Sequence, residues 1–292
     1  MHELETPYPL NDEQIAYYKD NGYIKLKQVL SAEVLAEYGA EFTRVVRETP
    51  AEGFMPENHL ALMPDGVRKM VEAVYAKAIT QNPDETYARA FTQRANLWNI
   101  SAKAAAFVFS KRLAKIAADL MEVDGVRLYH DQALYKEAQG GHTPWHCDQF
   151  YWPLSNDNTT TVWIPLQAVP SNMGPLAFAK GSHKLNDGPG RELAISDESE
   201  EVLGEMLKEC ETDNTPFDLG EVSFHAGWTY HRADPNQTDN TRGAFTIIYM
   251  DKDIRLKEAQ HQNQMFDMAI WTPGLQAGDL AATPINPVLY ER

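Results

Sequence analysis

Cysteine is nearly absent: Cys147 and Cys210 are the only two in 292 residues. That excludes a disulfide framework and a Cys-rich zinc site, and a reducing compartment suits such a chain. Long apolar runs are absent too, and the opening "MHELETPYPLNDEQ" lacks the basic and apolar regions of a secretion signal. A soluble, cytoplasmic protein without a membrane partner is expected. Basic residues are scarce, 26 Lys and Arg against 42 Asp and Glu, for a formal charge of -16. So acidic a chain repels nucleic acid and anionic lipid, which leaves a small molecule as the expected partner. No repeat or low-complexity linker divides residues 1–292, so one domain with ample core is the simplest organisation.

The texture of the chain changes near residue 126. Before it, "NDEQIAYYKDNG" has the marks of a helix capped by Asn11 and Gln14 and closed at Gly22, followed by a strand "YIKLKQV". Apolar residues recurring every three or four positions predict further helices at "AEVLAEYGAEFTRVV", "GVRKMVEAVYAKAI" and "KAAAFVFSKRLAKIAADLM". A helical shoulder over about 1–125 follows. Beyond it, β-branched and aromatic runs between turns, "VRLYHDQALYKEA", "TTTVWIPLQAV", "PLAFAKGSH", "EVSFHAGWTYH" and "GAFTIIYMDK", predict antiparallel strands to about residue 255, then a C-terminal tail. An insertion interrupts them, with one helix expected over 197–209. Its acidic start, Asp197, Glu198, Glu200 and Glu201, suits a solvated helix N-terminus, and the insertion could serve as a lid.

Within "HTPWHCDQFYWPL", residues 142–154, an ionisable pair sits among aromatics and prolines, where burial is costly. If "WHCDQ" is extended, His146 and Asp148 project from one face while Cys147, read as a small buried residue, points away. Two ligands on one face suit a metal, and a third would come from His225 or His231 in "GEVSFHAGWTYHRADPNQTDNTRGAF". Two imidazoles and one carboxylate on iron leave three positions open. Arg242, eleven residues after His231, can return on the next strand, and its planar fork suits the far carboxylate of a co-substrate.

Together, "TPWHCDQFYWPL", "NMGPLAFAKGSHK" and "GEVSFHAGWTYHRADPNQTDNTR", with the opening "EQIAYYKDNGYIKLKQVLS", resemble the phytanoyl-CoA dioxygenase family of Fe(II)- and 2-oxoglutarate-dependent oxygenases, from about residue 12 to 250. The resemblance implies a mainly β protein with α elements: a double-stranded β-helix, or jelly roll, flanked by N-terminal helices. It implies Fe(II) on His146, Asp148 and His231, 2-oxoglutarate held by Arg242, and dioxygen as oxidant. Hydroxylation of a small organic molecule would release succinate and CO2. Intact Asp148 sets the chain apart from halogenating relatives, whose small residue there admits chloride.

The resemblance also carries over Gln132, Trp163 and Arg94 as co-substrate contacts, although Trp163 also suits a core aromatic, Gln132 a surface amide and Arg94 a surface arginine. Alternation along "DQFYW" places Phe150 and Trp152 on the ligand face as substrate contacts. His225 is either a neighbour of the iron or a core histidine, and His183 is structural. Ala233 departs from the family pattern, in which a hydroxyl residue two after the distal histidine helps bind the co-substrate. A free small molecule is expected over a CoA ester, whose polyphosphate would find no basic clamp, and the longer motif of ectoine hydroxylases is missing. An inert metal-binding jelly roll and a zinc hydrolase on the same triad are the alternatives.

Overall fold

A computed structural model describes residues 2–50, 60–63, 65–66, 68–69, 92–185 and 192–292. Its helices are α1 (His2–Glu5), α2 (Asp12–Asn21), α3 (Ala32–Glu48), α4 (Leu97–Ile100), α5 (Ala102–Val108), α6 (Lys111–Met121), α7 (Asp197–Met206) and α8 (Gln262–Trp271). The strands are β1 (Tyr23–Leu26), β2 (Thr92–Ala95), β3 (Gly125–Lys136), β4 (Thr143–His146), β5 (Thr159–Pro165), β6 (Leu176–Ala179), β7 (Thr212–Asp213), β8 (Val222–Ala226), β9 (His231–Ala233), β10 (Arg242–Asp251) and β11 (Val288–Glu291).

Sequence signals at the N-terminus are realised closely. The Gln14 amide N–H donates to Asn11 Oδ1 at 2.8 Å and the Asn11 amide N–H to Gln14 Oε1 at 3.0 Å, a reciprocal cap for α2. Gly22 ends the helix at φ 79, and a Cβ there would lie 2.4 Å from His183 Nδ1 and 2.5 Å from Thr229 Oγ1. Glycine is therefore required twice over, for its backbone and for its size. Its carbonyl accepts from Thr229 Oγ1 at 2.6 Å and from the Ala226 amide at 2.8 Å, which pins the turn between β8 and β9. His183 bonds the Lys19 carbonyl at 3.0 Å and is structural, as expected.

The helix expected over 103–121 is two. Ser110 breaks it, its hydroxyl accepting from the Leu113 amide at 3.4 Å to begin α6. The first strand stops at Leu26, and α7 ends at Met206 rather than residue 209. The helix expected at 66–79 lies largely outside the described residues.

Among the described residues, eleven strands form two sheets. Seven are in one, ordered β1-β8-β5-β10-β3-β11 with β2 also on β3, and four in the other, ordered β4-β9-β6-β7. The ladders between these strands are antiparallel. Packed face to face, the two sheets make the jelly roll expected from the sequence. Strand β10 shows how both faces of the larger sheet are covered. Phe245, Ile247 and Tyr249 join the helical core, while Ala244 joins the cluster between the sheets with Trp163 and Phe178, and Ile248 faces the same interior. On the helical side Phe42 of α3 stacks on Phe245 with ring centroids 4.0 Å apart, and Phe107 of α5 meets both rings edge-on. This aromatic trio anchors the helical shoulder to the sheet that carries the interior residues.

Phe42→Ala removes its middle member from a site of 0 % exposure. The expected loss is about 3–5 kcal/mol in stability to urea, against the several tenths typical of a surface change.

Candidate metal centre and its surroundings

The smaller sheet places the two histidines. His146 ends β4, His231 begins β9, and the two are direct cross-strand partners, so both rings leave one face, their centroids 4.1 Å apart. Cys147 is extended, at φ -129 and ψ 142, so Asp148 returns to the His146 side while Cys147 packs away from it with Trp145 and Leu203. Donor atoms of His146, Asp148 and His231 all lie within 4.8 Å of one another.

Hydrogen bonds orient each donor. His146 Nδ1 lies 2.7 Å from the Pro144 carbonyl and His231 Nδ1 lies 2.9 Å from the Thr229 carbonyl. A carbonyl accepts only from N–H, so Nδ1 carries the proton and each Nε2 keeps a lone pair for a metal. Burial lowers the pKa of both rings, assisted at His231 by His146 and His225, which favours the neutral form that metal ligation requires. Burial alone would raise the Asp148 carboxyl, but His231, the His225 hydrogen bond and His146 outweigh it and hold it well below the usual carboxylate range.

Asp148 Oδ2 accepts from Thr161 Oγ1 at 2.8 Å and from His225 Nε2 at 3.2 Å, while Oδ1 lies 3.8 Å from His231 Nε2. The larger sheet thus grips one carboxylate oxygen and leaves the other towards the histidines. His225 is a neighbour of the triad, its Nε2 committed to Asp148. Two imidazole lone pairs and one oriented carboxylate oxygen fit a divalent iron with open positions and leave the set short of a closed tetrahedral site.

The far end of the same interior holds Arg242, 3 % exposed, with its Nε unpaired and its guanidinium carbon 5.4 Å from the Trp163 ring centroid. Burial pulls its pKa to about 10, and it stays charged at neutral pH. Among the described residues no carboxylate pairs with it. Between Arg242 and the triad, Trp163, Thr246 and Gln132 occupy one rung of neighbouring strands facing inward.

Two expected site residues fall elsewhere. Arg94 pairs with Ala133, which packs in the helical core, so register sets it on the opposite face from Gln132. Phe150 does not share a face with the ligands, because residues 148–151 turn as a 3-10 helix and period-two alternation ends at Asp148. Phe150 instead packs with Cys147 and stacks on His261 at 4.2 Å. Trp152 does reach the interior, packing with Tyr129 and Ile248. The acidic start of α7 is more than a solvated face: Glu200 accepts from the Trp145 amide at 2.8 Å and pairs with Arg232, tying the insertion to the ligand strand.

Two interior residues were not anticipated. Thr161 lies two before Trp163 in "TTTVWIP", and alternation alone would have found it. Lys136, fully buried, donates to the Asp234 carbonyl at 2.8 Å and faces Arg242 in register; burial, then Arg242, pushes its ammonium down to about 6. It supports the loop after His231 where Ala233 lacks a hydroxyl.

A jelly roll bearing a two-histidine, one-carboxylate triad and a buried arginine defines the class of non-haem iron oxygenases. The phytanoyl-CoA dioxygenase family model matches residues 18–244, and the chain belongs to that family as an Fe(II)- and 2-oxoglutarate-dependent oxygenase. It is 25% identical over 274 residues to a 1-deoxypentalenic acid 11-beta-hydroxylase of Streptomyces exfoliatus, covering 90% of this chain and 88% of that one. It is 23% identical over 245 residues to a probable alpha-ketoglutarate-dependent hypophosphite dioxygenase of Stutzerimonas stutzeri, covering 82% and 79%. Among solved structures, the non-heme alpha ketoglutarate dependent carbocyclase SnoK from nogalamycin biosynthesis superposes with a TM-score of 0.73 at 23% identity, covering 97% of this chain and 99% of that one.

Alanine at His146, Asp148 or His231 is expected to abolish stoichiometric metal binding, measured by metal analysis after anaerobic Fe(II) loading. His225→Ala should keep one metal with affinity lowered about 10- to 100-fold, since it removes only a support of Asp148. The reverse pattern would move the ligand set to His225.

Proposed function

We propose that this protein hydroxylates a C–H bond of a small organic molecule at a metal held by His146, Asp148 and His231, with 2-oxoglutarate held by Arg242. The observation that carries this reading is Arg242 itself. A buried guanidinium without an anion is costly, and a bidentate carboxylate is the group that best offsets it. A zinc hydrolase would have no use for such a cation at the far end of the interior.

When bound, Fe(II) with 2-oxoglutarate and dioxygen supplies the oxidation, one oxygen atom entering the substrate and the other succinate, with loss of CO2. The chain supplies position. His146 and His231 offer Nε2 lone pairs, and Thr161 and His225 fix Asp148 so that one oxygen faces the metal. Arg242 fixes the far carboxylate of the co-substrate, with Trp163 and Gln132 lining its path. An aspartate at position 148 fills the place a halide would need, which favours hydroxyl transfer over halogenation. Trp152, 4 % exposed, helps keep water from the reacting atoms.

Anaerobic titration of the Fe(II)-loaded protein with 2-oxoglutarate should produce a visible metal-to-ligand charge-transfer band. Arg242→Ala should weaken that binding by at least ~30-fold without loss of iron, the usual scale for removing one partner of a buried charge pair. Unchanged affinity in the variant would remove Arg242 from this role, and no band in iron-loaded wild type would favour the inert binding protein or the hydrolase.

A further inference from the structure

One rung of the larger sheet carries the groups nearest the metal triad. Tyr23, His225, Thr161, Ile248 and His130 are partners in register across β1, β8, β5, β10 and β3. Since Thr161 and His225 both bond Asp148, His130 lies on the metal's own rung, two strands or roughly 10 Å from Thr161.

A bulge falls at this point. Ile248 pairs with His130 and Tyr249 with Leu128, which leaves Tyr129 unopposed on β3. Simple alternation would send Tyr129 to the helical side, but the extra residue turns it inward beside His130. Tyr129 packs there with Trp152, its ring centroid 5.6 Å away, and with Ile248. The Asn286 amide secures the bulge by donating to the Leu128 carbonyl at 3.2 Å and the Tyr129 carbonyl at 3.3 Å.

Helix α8 closes this side of the site. Its Gln264 donates to the Phe150 carbonyl at 3.0 Å, and its Trp271 stacks on His130 with centroids 4.1 Å apart. Asp267 of the same helix accepts from Trp271 Nε1 at 3.1 Å and from the Tyr129 hydroxyl. Both donors are neutral, no cation pairs with Asp267 among the described residues, and each carboxylate oxygen keeps a free acceptor position. Burial without a counter-charge, reinforced by Asp148, pushes its carboxyl up to about 8, so the group is largely a neutral acid at pH 7 until a cation seated beside it favours the carboxylate. His130 brings no compensating charge: burial holds it neutral, at about 3, and its Nδ1 is buried without a partner.

Aromatic side chains around a carboxylate that lacks a cation suit one chemistry better than others. We propose that the substrate carries a positively charged nitrogen, seated among Tyr129, Trp152 and Trp271 and held by the Asp267 carboxylate. Ring faces attract such a cation and Asp267 neutralises it, while the -16 charge of the chain draws cations and repels polyphosphates. His130, with its unpaired nitrogen on the metal's rung, is placed to hydrogen-bond the substrate between that cation and the oxidised carbon. The inference rests on the oxygenase reading above.

The test uses protein loaded anaerobically with Fe(II) and 2-oxoglutarate and two probes of equal shape: choline, and its neutral isostere with carbon in place of the quaternary nitrogen. Tryptophan fluorescence follows binding, because Trp152 and Trp271 border the site. Choline should bind at least about tenfold more tightly than the isostere. Asp267→Asn, checked for unchanged iron content, should bring the two probes to near equality. Equal affinities in wild type, no binding of either probe, or a preference that survives Asp267→Asn would overturn the inference. The charge-transfer band on the same sample separates the two claims: its presence without a cation preference sinks this inference alone, and its absence sinks the oxygenase reading even if choline is preferred.

Discussion

Two opposite charges share one buried interior without touching, and the rest of the structure exists to keep them so. Asp148 at one end and Arg242 at the other would each be stabilised by direct pairing, yet Thr161 and His225 hold the carboxylate while Trp163 faces the guanidinium. Such separation is costly in a medium of low dielectric. It persists because the covering layers are rigid: the aromatic trio of Phe42, Phe107 and Phe245 fixes the larger sheet, and α7 fixes the ligand strand through Glu200 and Ser199. A cation at the first charge and an anion at the second relieve the cost, which is why a metal and a dicarboxylate suit this site together.

Division of labour between the two sheets follows from that constraint. The smaller sheet contributes the histidine donors, which its cross-strand register brings ring to ring. The larger sheet contributes the groups that fix Asp148 and line the rest of the interior: Thr161 and His225 on one rung, Trp163 and Gln132 on the next, Arg242 and Lys136 further along. Residues of the first kind define a reaction class. Those beyond them, above all the bulge at Tyr129 and helix α8, belong to what this chain acts upon.

Much of the site was legible because strands write it with period two. His146 and Asp148 are two apart, so spacing pointed to them as a pair, while Gln132 and Arg242 were named through the resemblance and both fall on inward positions of their strands. Alternation misled where the strand ended: a 3-10 turn begins at Asp148 and carries Phe150 to another cluster. Arg94 failed for a different reason, since the face of an edge strand is set by its register with β3 and nothing in "TQRANLW" encodes that pairing. Asp267 was invisible because its meaning depends on Tyr129, 138 residues away and turned inward by a bulge. The break at Ser110, by contrast, was written in a capping residue that apolar periodicity overrode.

Where the metal and the dicarboxylate sit is the most direct test of this site. An anaerobic crystal structure with Mn(II) in place of iron, and with 2-oxoglutarate, would show both. The metal is expected on His146 Nε2, His231 Nε2 and one Asp148 oxygen, with the distal carboxylate bidentate on Arg242. A metal on His225, or a co-substrate whose distal carboxylate avoids Arg242, would contradict it.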